Sequence, residues 1–160
     1  MTDLGLLNWF LGMEFKQKMK KGITTIDQQQ YATNILKKFG MHEVKPATTP
    51  HIPGKRLTKD MCPEKNSSEA AEMKNYKYRE VVGCLMYLLI TRHNLKLAVI
   101  ALSRFVNNPG KDHWTAAMRV LRYISGTLNY GITMGGPSEY LVNLLTRAGV
   151  HTKTYRYARR

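Results

Sequence analysis

The sequence contains few of the residues from which catalytic and metal centres are built. Its 160 residues include 11 Asp and Glu and 5 His, with no two Asp adjacent and the histidines far apart. Two-metal phosphoryl transfer requires clustered carboxylates, and zinc sites require closely spaced Cys or His ligands. Neither pattern is present, and there is no Gly-rich phosphate loop. We therefore expect no catalytic residue, no metal ligand and no cofactor in this chain.

Cysteine is also scarce, and long apolar runs are absent. Cys62 and Cys84 are too few for a disulfide framework, which indicates a reducing, intracellular environment. The longest apolar run, residues 81–90, is about half of the roughly 20 residues needed to cross a bilayer. The apolar N-terminus carries Asp3 where a signal peptide has Lys or Arg, and Asn8 interrupts it. We expect a soluble, non-secreted protein with no membrane partner.

Charge, in contrast, is abundant and mostly of one sign. Lys and Arg number 25, the formal net charge is +14 and the pI is near 9.9. Residues 135–160 hold five basic residues and one acidic residue, so the rest of the chain keeps a charge of +10. An excess of this size favours nucleic acid or an anionic surface as the partner, and it gives no information about the fold.

The first 40 residues predict a β-hairpin followed by a helix. β-Branched and aromatic residues flank a Lys-Lys-Gly turn, with Gly22 at the bend. Asp27 is a plausible N-cap for the helix, and Gly40 is the expected residue just past its C-terminus. The helical periodicity predicts a buried stripe and an exposed lysine pair. The predicted stripe consists of Tyr31, Ala32, Ile35, Leu36 and Phe39, and the exposed pair is Lys37 and Lys38.

The remainder of the chain predicts a small helical bundle. Residues 41–75 contain four prolines and a polar Asn-Ser-Ser stretch, which predicts a long irregular connection. A helix beginning at Tyr78 is apolar on nearly all sides and is expected at the centre of the bundle, until residues 91–94 interrupt it. Two more helices and a short strand are predicted over residues 95–107, 113–128 and 129–134.

The predicted fold class is therefore α+β and mainly α, with an N-terminal β-hairpin followed by about four helices. We divide the chain into three regions by pattern and composition. They are the hairpin over residues 1–26, the helical region with its irregular loop over residues 27–134, and a basic tail over residues 135–160.

Two arginines lie beside the apolar side of the last predicted helix. Arg119 and Arg122 are three residues apart and so are neighbours in space. They could grip phosphates together with other cations expected on the same surface, namely Arg92, Arg104 and Lys111. The alternative is an ordinary solvated flank, and the residue types alone favour it. Trp114 is expected to be a packing residue because its neighbours on the helical wheel are apolar.

Six segments, taken in order, resemble a single protein family. They are "DLGLLNWFLGMEF", "GITTIDQQQYATNILKKFGM", "KPATTP", "YREVVGCLMYLLITR", "AVIALSRFVNNPGKDHW" and "RVLRYISGTLNYGI". Together they resemble the later part of the reverse transcriptase in the Pol polyproteins of Ty1/copia-type LTR retrotransposons. The resemblance covers about residues 1–134.

The resemblance implies a role in holding nucleic acid. In that family the polymerase active site, which uses Mg²⁺, precedes these segments. The part of the hairpin that contains Leu11, Gly12 and Met13 then resembles the primer grip, and the helices resemble the thumb that closes on the template–primer duplex. The implied partners are an RNA–DNA hybrid or other nucleic acid and the neighbouring palm and RNase H regions. The implied phosphate contacts are those of Arg119 and Arg122.

The sequence departs from the family pattern at two places. The family usually has Pro-Asp-Ile after Thr91-Arg92, where this chain has His93-Asn94-Leu95. Residues 135–160 do not resemble the first strand of RNase H, which would follow. We expect a truncated fragment that holds the duplex but cannot polymerise. Two alternatives remain open, a non-enzymatic nucleic-acid-binding remnant and a non-functional pseudogene product.

Overall fold

A four-stranded antiparallel sheet forms one part of the fold. The computed structural model describes residues 8–64 and 67–135. The strands are β1 (Trp9–Phe10), β2 (Met13–Lys18), β3 (Ile23–Asp27) and β4 (Gly131–Gly135), and they neighbour one another in that order. The predicted hairpin is confirmed in β2 and β3, and Gly22 lies between them with φ 58°. The predicted short strand is also confirmed, as β4.

Five helices form the rest of the described fold. They are α1 (Gln29–Lys38), α2 (Ser68–Met73), α3 (Tyr78–Leu88), α4 (Lys96–Ser103) and α5 (Lys111–Ser125). The predicted class, a sheet hairpin followed by a small helical bundle, is therefore confirmed. Since β4 pairs along the whole of β3, the end of the helical region returns to the N-terminal hairpin. The tail beyond residue 135 lies outside the described residues.

The start of α1 differs by one residue from the prediction. Asp27 is the last residue of β3, and its carboxylate accepts a hydrogen bond from the Gln29 backbone N–H at 3.2 Å. Gln28 is the N-cap, because its carbonyl accepts the bond from Ala32 N–H. Asp27 is held at the strand end by its ion pair with Lys16 at 3.1 Å. It supports the helix start without being its cap.

The end of α1 and its buried stripe agree with the sequence prediction. Gly40 has φ 65°, which favours glycine, and Met41 N–H donates to the Leu36 carbonyl across it. Ala32, Ile35 and Leu36 are buried, with Tyr31 and Phe39 packed at the edge of the core, while the two lysines are exposed. The predicted stripe is confirmed.

Helix α3 is not buried on all sides, so that prediction is wrong. Val81, Val82 and Leu85 are almost fully buried, but Met86 is 53% exposed and Ile90 beyond the helix is 48% exposed. Helices α1, α4 and α5 cover only one side of α3 in the described structure. An apolar sequence on both sides of a helix does not reveal which side the fold leaves uncovered.

The connection over residues 41–75 is more ordered than predicted. It contains α2, whose N-cap Ser67 accepts a hydrogen bond from the Ala70 N–H at 3.2 Å. A short helical turn, Lys59–Met61, precedes it. The Ser-Ser-Glu sequence is a recognisable helix start, and its neighbouring Asn and Pro residues had suggested an irregular loop instead.

One hydrophobic core joins α1, α3, α4 and α5. It includes Leu85, Leu88 and Leu95 from the α3–α4 region and Leu121 and Ile124 from α5, all almost inaccessible to solvent. Within this apolar cluster the Tyr78 hydroxyl donates to the Leu102 carbonyl at 2.9 Å, and burial raises the pKa of that phenol. Among the described residues, no helix is long and apolar enough to span a bilayer.

Candidate nucleic-acid interface

Helix α5 is anchored at its N-terminus by a neutral histidine. Gly110 is the N-cap, its carbonyl accepts from Trp114 N–H at 3.1 Å, and its own N–H donates to His113 Nδ1 at 3.0 Å. The His113 ring is buried and lies on the Phe105 ring with centroids 4.2 Å apart. These contacts fix where α5 begins, and so they set the position of every cation along it.

The flank of α5 that carries the two arginines binds residues 45–49 of the same chain, which we call the strap. Arg122 Nε donates to the Lys45 carbonyl at 2.9 Å, and the Arg122 carbonyl accepts from Ala47 N–H at 3.1 Å. Arg119 Nη2 donates to Thr49 Oγ1 at 3.0 Å. Much of what this basic flank holds is therefore the chain's own backbone.

Pro46, near the start of the strap, packs against Gly126 at the C-terminus of α5. A Cβ atom added to Gly126 would lie 2.8 Å from the Pro46 Cβ, which is closer than real Cβ atoms approach a neighbour. The absence of a side chain at Gly126 thus allows Pro46 to lie against the helix end. The strap therefore contacts α5 at Arg119, at Arg122 and at Gly126. Its hydrogen bonds orient the guanidinium groups of Arg119 and Arg122.

A groove of about 440 Å³ lies between α4, α5 and residues 50–57, and we call it the α4–α5 groove. Its size is within the range of natural ligand sites. Its lining residues come from all three segments: Pro50, His51, Ile52, Gly54, Lys55, Arg56, Leu57, Leu97, Ala98, Ala101, Leu102, Arg104, Asp112, Thr115, Ala116, Arg119 and Val120. The groove brings together Arg104 and Arg119, which the sequence had placed on one surface.

The rim of the α4–α5 groove is positively charged. Arg104 and Arg56 are exposed, and neither has an ion-pair partner among the described residues. Arg119 is half-buried, and its Nε atom is buried without a hydrogen-bond partner. Lys55 and Asp112 neutralise each other through a contact of 2.5 Å. Three arginines therefore remain available for an anionic ligand.

Lys111 and Arg122 lie outside the lining of this groove. Lys111 Nζ is 2.6 Å from a Glu72 carboxylate oxygen, and that contact raises the pKa of the lysine. Its charge is therefore partly neutralised. Arg122 is half-buried and bound to the strap through Nε. Both residues are less suited to phosphate contact than Arg104 and Arg119.

Arg92 does not lie on the basic surface where the sequence had placed it, and this placement is corrected. It is 2% exposed, and its guanidinium donates to the Thr127 carbonyl at 2.8 Å and to Thr127 Oγ1 at 2.6 Å. Its Nε also donates to Asn94 Oδ1 at 3.3 Å, and its Cζ lies 5.3 Å from the Tyr130 ring centre. Arg92 therefore attaches the connection between α3 and α4 to the segment between α5 and β4, and its burial leaves no access for a phosphate.

The segment at Leu11, Gly12 and Met13 forms a tight turn that the sequence pattern had not revealed. Leu11 and Gly12 both have positive φ, at 47° and 70°, and they join β1 to β2 as a two-residue hairpin. The Tyr87 hydroxyl donates to the Leu11 carbonyl, which attaches the turn to α3. A leucine in this conformation is uncommon, so the turn stores some backbone strain.

Trp114 is a packing residue, as predicted. It is half-buried against the core, and its ring lies 4.9 Å from that of Tyr76, centre to centre.

Among the described residues, no group of three or more His, Cys, Asp and Glu side chains could hold a metal ion.

The sequence had not identified the basic residues that residues 50–57 contribute to the groove. His51, Lys55 and Arg56 come from the connection that was predicted to be irregular. Their clustering in "HIPGKR" was a visible signal of a basic segment. What was not visible is the attachment of that segment to α5, through Lys55 and Asp112.

We expect the stability of this fold to decrease as the pH falls below the ordinary pKa of histidine. Burial lowers the pKa of His113, although the Thr58 backbone and then Asp112 and Glu69 oppose that shift. The native state then binds fewer protons than the unfolded state, so stability is full above pH about 6.5 and is lost below it. Protonation of Nδ1 would also remove the acceptor for Gly110 N–H.

The measurement is the free energy of unfolding from pH 8 to pH 5, compared with that of His113→Gln. The exposed histidines 42, 51 and 93 remain in both proteins and serve as an internal control. The variant should lose part of the pH dependence of the natural chain. Identical pH profiles would contradict the role given to His113.

Comparison with known proteins finds relatives among the polyproteins of transposons. The chain is 36% identical over 142 residues, 88% of its length, to the retrovirus-related Pol polyprotein from transposon TNT 1-94 of Nicotiana tabacum. The similarity to the Pol polyprotein from transposon RE2 of Arabidopsis thaliana is also 36%, over 126 residues. This chain is similar to transposon Pol polyproteins.

The chain matches only a small part of these relatives. The aligned region is 11% of the length of the tobacco polyprotein and 8% of that of the RE2 polyprotein. An uncharacterised mitochondrial protein of Arabidopsis thaliana is 32% identical over 135 residues, which is 51% of its length. No protein-family profile matches the chain, and no solved structure matches it.

Proposed function

We propose that this chain is a primer-grip and thumb fragment of a retrotransposon reverse transcriptase, and that it binds a template–primer duplex without catalysing polymerisation. The observation that carries the proposal is the α4–α5 groove, whose rim presents Arg56, Arg104 and Arg119 without carboxylate partners among the described residues. The similarity to transposon Pol polyproteins supports a retrotransposon origin for the fragment.

The proposed contact uses phosphates and carries no sequence readout. Arginines on a rim can each donate two hydrogen bonds to a phosphate, which fixes the duplex backbone without reading the bases. The strap holds Arg119 through Thr49, so this guanidinium is ordered before the duplex arrives. Such preorganisation lowers the entropic cost of binding.

The proposal predicts that binding to an RNA–DNA hybrid is strongly dependent on salt. Each phosphate that an arginine neutralises contributes about 0.9 to the slope of log affinity against log salt concentration. The double variant Arg104→Gln, Arg119→Gln should therefore reduce the slope by about two and lower the affinity most at low salt. Fluorescence anisotropy with a labelled hybrid measures both quantities.

A control variant that removes a charge outside the groove separates local contacts from the overall positive charge. Lys37→Gln removes one exposed cation of α1 that does not line the groove. This control should leave the slope almost unchanged. If the control and the double variant change the slope equally per charge removed, the groove has no special role and the assignment of these contacts is wrong.

A further inference from the structure

The floor of the α4–α5 groove is aliphatic, and this property is not explained by phosphate binding. The lining contains no Phe, Tyr or Trp, whereas ten of its positions are aliphatic, proline or glycine. They are Pro50, Ile52, Gly54, Leu57, Leu97, Ala98, Ala101, Leu102, Ala116 and Val120. Stacking of unpaired bases uses aromatic rings, so this floor is poorly suited to nucleobases.

An exposed apolar side chain stands at the edge of the groove. Leu97 is 81% exposed, and Ile100, one turn further along α4, is 47% exposed. Residues three apart lie on the same side of a helix, so the two side chains form a continuous apolar strip. Apolar surface next to a concave apolar groove, with a polar rim, is typical of a protein-binding site.

The helices contribute small residues where a partner would approach. Ala98 and Ala101 on α4 and Ala116 on α5 line the groove. Without long side chains at these positions, large aliphatic side chains of a partner can enter between the two helices. An amphipathic helix presents such side chains at spacings of three and four residues, which is a recurrent mode of recognition.

The positive charge of the rim indicates which side chains should flank the aliphatic ridge of a partner helix. Arg56, Arg104 and Arg119 surround the aliphatic floor, while Lys55 is already paired with Asp112. Carboxylates flanking an aliphatic ridge would complement these three arginines. We propose that the α4–α5 groove binds an acidic amphipathic helix of a protein partner, with its aliphatic ridge on the floor and its carboxylates on the arginine rim.

This inference goes beyond the proposed function because it concerns a protein ligand. The two ligands would share the rim arginines but not the floor. A duplex bound to the rim and a helix seated in the groove would therefore exclude each other. An acidic segment of this kind would control when the chain is available to nucleic acid.

The test uses the full 160-residue chain and a designed peptide. The labelled probe has Leu at helical positions i, i+3, i+4 and i+7, with Glu on both flanks of this ridge. Two control peptides have the same composition in scrambled order, or Gln in place of Glu. We expect the designed probe to bind at least tenfold more tightly than either control in an anisotropy titration, and to be displaced by the RNA–DNA hybrid.

Exposed positions supply variants that should fold normally. Leu97→Ser removes the apolar edge and should weaken the probe by about tenfold, because a buried leucine contributes at least that much to affinity. It should leave hybrid affinity unchanged. The variant Arg56→Gln, Arg104→Gln should weaken both ligands, and Lys37→Gln should affect neither by more than its single charge.

Two results would overturn the proposal. Equal binding of the designed and scrambled peptides would show attraction by charge alone. An unchanged probe affinity in Leu97→Ser would place the peptide elsewhere. Hybrid binding is measured separately. If the chain binds the hybrid but not the designed peptide, only this inference is rejected. If it binds the peptide but not the hybrid, only the duplex assignment is rejected.

Discussion

Replacing Arg92 with alanine should lower the free energy of unfolding by about 3 kcal/mol, because it removes a buried charge whose hydrogen bonds hold two segments together. The guanidinium bonds both the carbonyl and the hydroxyl of Thr127 and also Asn94. Its removal takes one hydrogen bond from each of these groups and opens a cavity beside Tyr130. Chemical denaturation of the full chain measures the loss.

Two further variants define what Arg92 does. Lysine carries the charge but cannot form the same pair of bonds to Thr127, so Arg92→Lys should also be clearly destabilised. Arg79→Ala is the matched control, since Arg79 is exposed and has only a long contact of 3.4 Å to Asn107. The control should change stability by less than about 0.5 kcal/mol. An Arg92→Ala protein as stable as the control would contradict the buried role.

Replacing Gly110 with alanine should lower the free energy of unfolding by about 2–3 kcal/mol, because there is no room for a methyl group. A Cβ at this position would lie 2.0 Å from the Met61 carbonyl oxygen and 3.3 Å from Glu69 Oε1. The Met61 backbone must then move away from the start of α5. The same Glu69 oxygen accepts a hydrogen bond from Lys111 N–H at 2.9 Å, so that contact should weaken as well.

An identical substitution in α3 should have the opposite effect. Gly83 lies inside that helix, is exposed, and has no atom within 4 Å of where a Cβ would stand. Gly83→Ala should therefore stabilise the protein by about 0.5–1 kcal/mol through the higher helix propensity of alanine. Thermal melts of both variants give the two signs. If Gly110→Ala is as well tolerated as Gly83→Ala, the result would contradict the close packing of α5 on the Lys59–Met61 turn.

Local sequence signals predicted most of the regular structure. The β2–β3 hairpin, the stripe of α1 and the αL glycine at position 40 follow from patterns within about a dozen residues. A short strand was also predicted over residues 129–134, and the structure has it at Gly131–Gly135. Its pairing with β3 was not, since more than 100 residues separate the partners and no local pattern encodes that register.

The candidate site depends mainly on contacts that are distant in sequence. The strap bonds to α5 across 70 residues or more, and Lys55 reaches Asp112 across 57. The burial of Arg92 could not be predicted from the local sequence, because a basic residue in a polar break between helices normally lies at the surface. Its burial follows from the return of the chain after α5, which brings Thr127 to its guanidinium.

The most direct test of the account compares three ligands at matched salt: an RNA–DNA hybrid, its single strands and double-stranded DNA of the same length. A duplex-holding fragment should bind the hybrid at least tenfold more tightly than the single strands, and its affinity should fall steeply from low to physiological salt. Equal affinity for all three would contradict the thumb assignment and would describe a chain that binds nucleic acid without preference. Absence of binding at low salt would reject the nucleic-acid function altogether.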